Sequence, residues 1–301
     1  EQFYNPAREP YPYYEEALKR DPGDSRVNTA LGILYCKRGM FKEAEERLKA
    51  ALQRLTRNYT SPRDGEAFYY LGVALRAQAK RDAACEAFHK AAWSNAWHGA
   101  ANVALAEIAA TRGKFTEGLQ FIDRAISSNA LNTKAANLKA ALLRRLGHRQ
   151  EAETFAAQAA TIDPLDFWAA NERLLAQSDT GRQDQAAEAL KELESQMRGA
   201  VQSYLELAVD YGNCGFWDEA IGVLTRLIDA TAEKNRIFPM VHYYVGYYWE
   251  KKGDPQKASE HYRLAGRMPS DYCFPFRLES IAVLESAIRN NPADARAPYY
   301  L

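Results

Sequence analysis

Residues Leu105–Ala125 read LAEIAATRGKFTEGLQFIDRA, and the placing of the small residues in this stretch decides the fold. Leu105, Ala106 and Ala109 share one helical face, Gly113 interrupts it, and Gly118, Ile122 and Ala125 share the face of a second helix. Glycine ends a helix at little cost because it enters the left-handed backbone region without a Cβ clash. Outward from this hairpin, Gly147, Gly181 and Gly215 follow Gly113 at intervals of thirty-four residues, and Ala79 precedes it by one interval. Gly39 and Gly253 continue the phase across two longer spacers. Five residues past each turn stands Ala44, Ala84, Gly118, Ala152, Ala186, Ala220 or Ala258. A small residue belongs there because the two helices of a hairpin cross at that point, and a bulky side chain would force their axes apart.

The first helix of each unit repeats a large, small, large face: Leu31-Gly32 with Tyr35, Leu71-Gly72 with Leu75, Leu207-Ala208 with Tyr211, Val245-Gly246 with Trp249. The combined pattern, L-G-x-x-Y, a glycine turn, A-x-x-x-F-x-x-A and a terminal proline at Pro22, Pro164 and Pro292, resembles the tetratricopeptide repeat family over nearly the whole chain. The resemblance implies an all-α fold, a right-handed superhelix (solenoid) of stacked antiparallel hairpins with about seven full repeats. The expected organisation is a lead-in with one short helix over 1–24, seven repeats over 25–267 starting near Ser25, Gly65, Gly99, Thr133, Phe167, Val201 and Pro239, and 268–301 as an irregular segment, a closing helix and the start of a truncated repeat. Lys139 and Arg173-Leu174 break the first-helix pattern, so the helices of units four and five are expected to shift or rotate. Arg54–Gly65 reads as a loop, and Pro269 and Pro275 forbid a regular helix over Met268–Phe276.

The chain of 301 residues has 39 Lys plus Arg against 39 Asp plus Glu, so no net positive field gathers phosphates, and RNA or DNA is disfavoured as a partner. No apolar run reaches the length of a membrane helix, and no leader-like segment opens the sequence. Cys36, Cys85, Cys214 and Cys273 form neither a CxxC pair nor a zinc spacing and read as buried thiols of a reducing, cytoplasmic setting.

Catalytic signatures are missing: there is no GxSxG, HExxH, P-loop or GxGxxG. His89, His98, His148, His242 and His261 include no i, i+4 pair, so neither a metal nor another cofactor is expected. The paired carboxylates, such as Glu45-Glu46, read as solvated helix faces, and Asn58-Tyr59-Thr60 as a chance sequon. The chain is therefore expected to be a non-enzymatic scaffold that binds a protein or peptide.

In the family, ligands lie against the first helices. The matching positions here give Arg26, Tyr69, Arg76, Glu107, Lys134, Asn137, Trp168, Asn171, Tyr243 and Tyr247, with the aromatic residues as anchors and Asn137 and Asn171 bonding a partner's backbone. The lysine and asparagine set with which one subset of the family grips a C-terminal carboxylate is absent, Thr29, Ile33, Tyr70, Ala100 and Ala104 standing in its places. Trp93 and Trp97 have no role in the repeat pattern. The lead-in from Tyr4-Asn5-Pro6-Ala7 to Arg20-Asp21-Pro22-Gly23-Asp24 resembles the start of the repeat half of large bacterial proteins whose N-terminal half is β-rich and sugar-enzyme-like. With the motif that breaks off at Leu301, this gives a second expectation: a helical scaffold segment of a larger bacterial carbohydrate-associated or enzyme-like protein, whose own N-terminal domain is a partner.

Overall fold

All seven residues assigned to hairpin turns have left-handed backbone conformations, from φ +59° at Ala79 to +90° at Gly253. Ala79 is the costly member, since a side chain in that region is disfavoured by about 1 kcal/mol. The computed structural model describes residues 10–58, Thr60 and residues 64–301, and every regular element among them is helical. The first lead-in residues, Tyr59 of the sequon, and 61–63 of the long loop lie outside the described residues. The chain forms two compact units, 1–105 and 106–301, whose boundary falls inside one helix.

The first unit comprises α1 (Tyr11–Arg20), α2 (Ser25–Lys37), α3 (Phe41–Leu55), α4 (Glu66–Ala77), α5 (Arg81–Ala91) and the first part of α6 (Asn95–Thr111). α2 pairs with α3 and α4 with α5, while α1 packs on α2 and α3 on α4. The close crossing inferred from the small residues is evident at Gly32 and Gly72, where a Cβ would lie 2.6 Å from the side chains of Leu48 and Phe88 respectively. Asp24 caps α2 through the amides of Arg26 and Val27, a contribution of about 1 kcal/mol.

The second unit continues with α7 (Phe115–Ser128), α8 (Thr133–Arg145), α9 (Arg149–Ile162), α10 (Phe167–Asp179), α11 (Gln183–Met197), α12 (Val201–Asn213) and α13 (Trp217–Ala230). It ends with α14 (Pro239–Lys252), α15 (Pro255–Ala265), α16 (Glu279–Asn290) and α17 (Arg296–Tyr300). The first helices of the hairpins begin at Ser25, Glu66, Asn95, Thr133, Phe167, Val201 and Pro239. Asn132 and Asp166, one repeat apart, cap α8 and α10.

The irregular repeats keep their phase. Lys139 spreads its ammonium over the Phe155 ring, 4.0 Å from the centroid, and pairs with Asp123 at 2.7 Å. In unit five the bulk changes sides: Leu174 is buried at the small position, and Leu190, at the place held elsewhere by Leu48, Phe88 and Tyr262, is only half-buried. The segment after α15 is irregular, with Met268 and Cys273 buried and Tyr272, Phe274 and Phe276 exposed. α16 then packs on α14, and α17 on α16.

Candidate functional site

In the first unit, α2 and α4 expose parallel strips of side chain, because residues three and four apart share a helical face. Ser25, Arg26, Thr29, Ala30, Ile33 and Lys37 on α2 face Asp64, Glu66, Ala67 and Tyr70 across a cleft of about 470 Å³, with Leu34 and Leu55 completing its lining. The lining is apolar in the middle and charged at its edges, cations on α2 and carboxylates around the start of α4. Burial, reinforced by Asp64, raises the carboxyl of Glu66 above its ordinary range, and burial with the Glu66 charge raises the Tyr70 phenol. Thr29 Oγ1 donates to the Ser25 carbonyl at 2.8 Å, so its hydroxyl is already engaged.

Tyr69, the expected anchor, points elsewhere: its ring stacks on Trp97 at 4.7 Å and meets Phe88 edge-on at 5.6 Å. Trp97 Nε1 donates to Asp64 Oδ1 at 2.9 Å. This explains the placing of Trp97 and hands the cleft position to the neighbouring tyrosine. Arg76 is half-buried and is not part of the cleft lining.

In the second unit most of the expected ligand-binding side chains are engaged within the unit. Asn137 Nδ2 donates to the Asp166 carboxylate, at 2.7 Å and 2.8 Å to its two oxygens. Asn171 Nδ2 donates to the Tyr211 hydroxyl at 2.7 Å, and its Oδ1 accepts from Arg226 at 2.6 Å. The Tyr211 hydroxyl in turn donates to Glu172, fully buried, which also receives Arg144 Nε at 2.8 Å. Trp168 is buried against Tyr211, their centroids 5.6 Å apart. Tyr243 is buried and donates to Asp294 at 2.6 Å. Lys134 is half-exposed along its stem while its ammonium lies 2.9 Å from the buried Glu107 and 3.8 Å from Asp210, an arrangement that raises its pKa. Tyr247, half-buried, carries Lys251 over its ring at 4.8 Å. The readings of Asn137, Asn171, Trp168 and Tyr243 as partner-facing groups are therefore corrected: burial at 4% exposure or less removes them from solvent. Among the described residues no group of three or more His, Cys, Asp and Glu side chains could hold a metal, and no helix is long and apolar enough to cross a membrane.

The tetratricopeptide repeat family model matches residues 10–58, which span α1 to α3 and carry the first full hairpin. The same hairpin recurs through both units at the period of the sequence. Residues 10–58 match the tetratricopeptide repeat, and the fold of the chain is that of tetratricopeptide repeat proteins. Solved structures with the same fold include a tetratricopeptide repeat protein from Parabacteroides merdae, 16% identical, covering 93% of this chain and 98% of its own at a TM-score of 0.55. The C-terminal part of a repeat protein from Cytophaga hutchinsonii is 11% identical over 96% of this chain and 92% of its own, with a TM-score of 0.54. YrrB, described as a TPR protein with an unusual peptide-binding site, is 17% identical over 61% of this chain and 91% of its own, with a TM-score of 0.51. At such identities the likeness is one of fold.

Of the first-helix residues expected to meet a ligand in this unit, Arg26 lines the cleft, whereas Tyr69 and Arg76 do not and Tyr70, next to Tyr69, does.

Proposed function

We propose that the chain is a protein-interaction scaffold whose first unit receives a segment of a partner protein between α2 and α4. The cleft's composition carries this reading: an apolar middle of Ala30, Ile33, Leu34 and Tyr70 with Arg26 and Lys37 on one side and Asp64 and Glu66 on the other. Preformed helices spare the ordering cost that a flexible site would meet on binding. The charge division favours a segment with an apolar or aromatic centre, a basic residue toward the start of α4 and an acidic one along α2. A cation beside Glu66 would offset the desolvation that raises its pKa. The cleft pairs no nucleophile with a base, which supports binding without catalysis.

A peptide-display selection against the full chain tests this. Selected peptides are expected to carry an aromatic or aliphatic centre and to lose at least about tenfold in affinity, or about 1.4 kcal/mol, on Tyr70→Ala or Ile33→Glu. The buried change Tyr243→Phe should leave them bound. Selected peptides that bind both cleft variants as well as wild type would exclude the cleft as the site.

A further inference from the structure

The second unit closes on itself through one turn. Gly215 comes so near α6 that a Cβ there would sit 3.0 Å from Thr111 Cα. The next residue, Phe216, is buried, with its ring 6.1 Å from that of Phe115 and beneath the Arg145 guanidinium at 5.1 Å. Glu219, in the first turn of α13, then divides its carboxylate between two arginines of α8: Oε1 accepts from Arg144 at 2.7 Å and Oε2 from Arg145 at 2.5 Å. A turn of the sixth hairpin thus inserts an aromatic ring and a carboxylate against the third and fourth hairpins.

The two arginines are held differently. Arg144 keeps Glu172 whatever Glu219 does, whereas Arg145 has Glu219 as its charge partner and the Phe216 ring as its stacking partner. Guanidinium groups presented in this way recognise carboxylates in a fork geometry and aromatic faces by stacking. Within the turn, Phe216 and Glu219 satisfy them, while Asp218 pairs with Lys252 and Trp217 stacks on Tyr248. We propose that Arg144 and Arg145 form a second binding site, for a segment of a partner protein with an aromatic residue three positions before an acid, and that the α12–α13 turn is an internal stand-in for that segment. The tether gives the turn a high effective concentration, so a competing segment binds weakly until the turn is loosened. The site involves none of the α2–α4 cleft residues and stands whether or not that cleft binds a partner.

The probe is a fluorescein-labelled synthetic peptide of residues 213–222 with Cys214→Ser, and anisotropy reads its binding to the full chain. Glu219→Gln is expected to bind it at least about tenfold more tightly than wild type, with a gain that shrinks in high salt and disappears when Arg145→Ala is added. A folded Glu219→Gln chain with no gain, or a gain that survives Arg145→Ala or is equalled by a scrambled peptide, overturns the proposal. Should Glu219→Gln not fold, Phe216→Leu, which removes the stacking partner of Arg145 and keeps the turn apolar, replaces it in the same assay, with the same expected gain and the same overturning outcomes.

Discussion

Gly181 and Gly215 hold the same place in successive repeats and share a backbone conformation, φ +77° and +75°. A Cβ at Gly181 would meet nothing within 4 Å, while at Gly215 it would press on the backbone of Thr111. Alanine at either position carries the left-handed strain of about 1–2 kcal/mol; only at Gly215 must the neighbouring backbone also yield. Gly181→Ala is therefore expected to lower stability by about 1 kcal/mol and Gly215→Ala by at least about twice that. Urea melts of both variants, followed by circular dichroism, check the difference, and equal losses would mean that the contact with Thr111 adds nothing. The need for a glycine at each position was legible from the thirty-four-residue period. The contact was not, because a period records what each repeat does alone, whereas Gly215 meets a residue three hairpins earlier.

Within a hairpin, α14 and α15 are joined by an imidazole pair, His242 Nδ1 lying 3.0 Å from His261 Nδ1. Burial, with the neighbouring His261, lowers the pKa of His242 to about 4; burial also lowers that of His261, against the pull of Glu260. One neutral ring can donate to the other, but two charged rings at that distance repel. Since the unfolded chain binds these protons near pH 6.5 and the folded chain only at lower pH, stability is present above that value and is lost as pH falls toward 4. Asp210 has the opposite slope: burial raises its pKa to about 6, so it costs stability as pH rises from about 4 to 6. The net profile mixes the two, and comparison with His261→Gln separates them. Wild type should lose more stability than this variant between pH 7 and pH 5, as read by melts at each pH; parallel losses would remove the pair as the cause. Sequence inspection finds i, i+4 histidines on one helix but not a pair on facing helices, whose meeting depends on crossing geometry. Tyr69 and Tyr70 show the same limit, since a small rotation of α4 decides which of two adjacent rings faces the cleft and which stacks on Trp97.

Across the molecule, the two units use their first helices differently. In the first unit, the ties between hairpins join neighbours: Arg54 reaches Asp21, and Lys80 and Gln78 reach Glu45, whose carboxyl, against the raising effect of its own burial, is brought down to about 2 by Lys49 of its own helix together with these two partners. The facing strips of α2 and α4 remain available as a cleft. In the second unit, Asn171, Glu172 and Tyr211 link α8, α10, α12 and α13 through buried hydrogen bonds, and the same repeat positions become core. The repeat pattern could not separate these outcomes, because a tyrosine, asparagine or arginine on a first helix suits a ligand and a facing repeat equally well. An ordinary repeat array couples only nearest neighbours, so its stability is roughly a sum of local terms. A network running from the fourth hairpin to the sixth should instead make that stretch open as one block. Glu172→Gln tests this by leaving Arg144 and the Tyr211 hydroxyl without their buried acceptor charge, a loss of about 3 kcal/mol. Hydrogen exchange by mass spectrometry should then show faster uptake across α8, α10, α12 and α13 together, with α2 to α5 unchanged. Faster exchange confined to α10 would mean that the buried bonds stabilise one hairpin and transmit nothing.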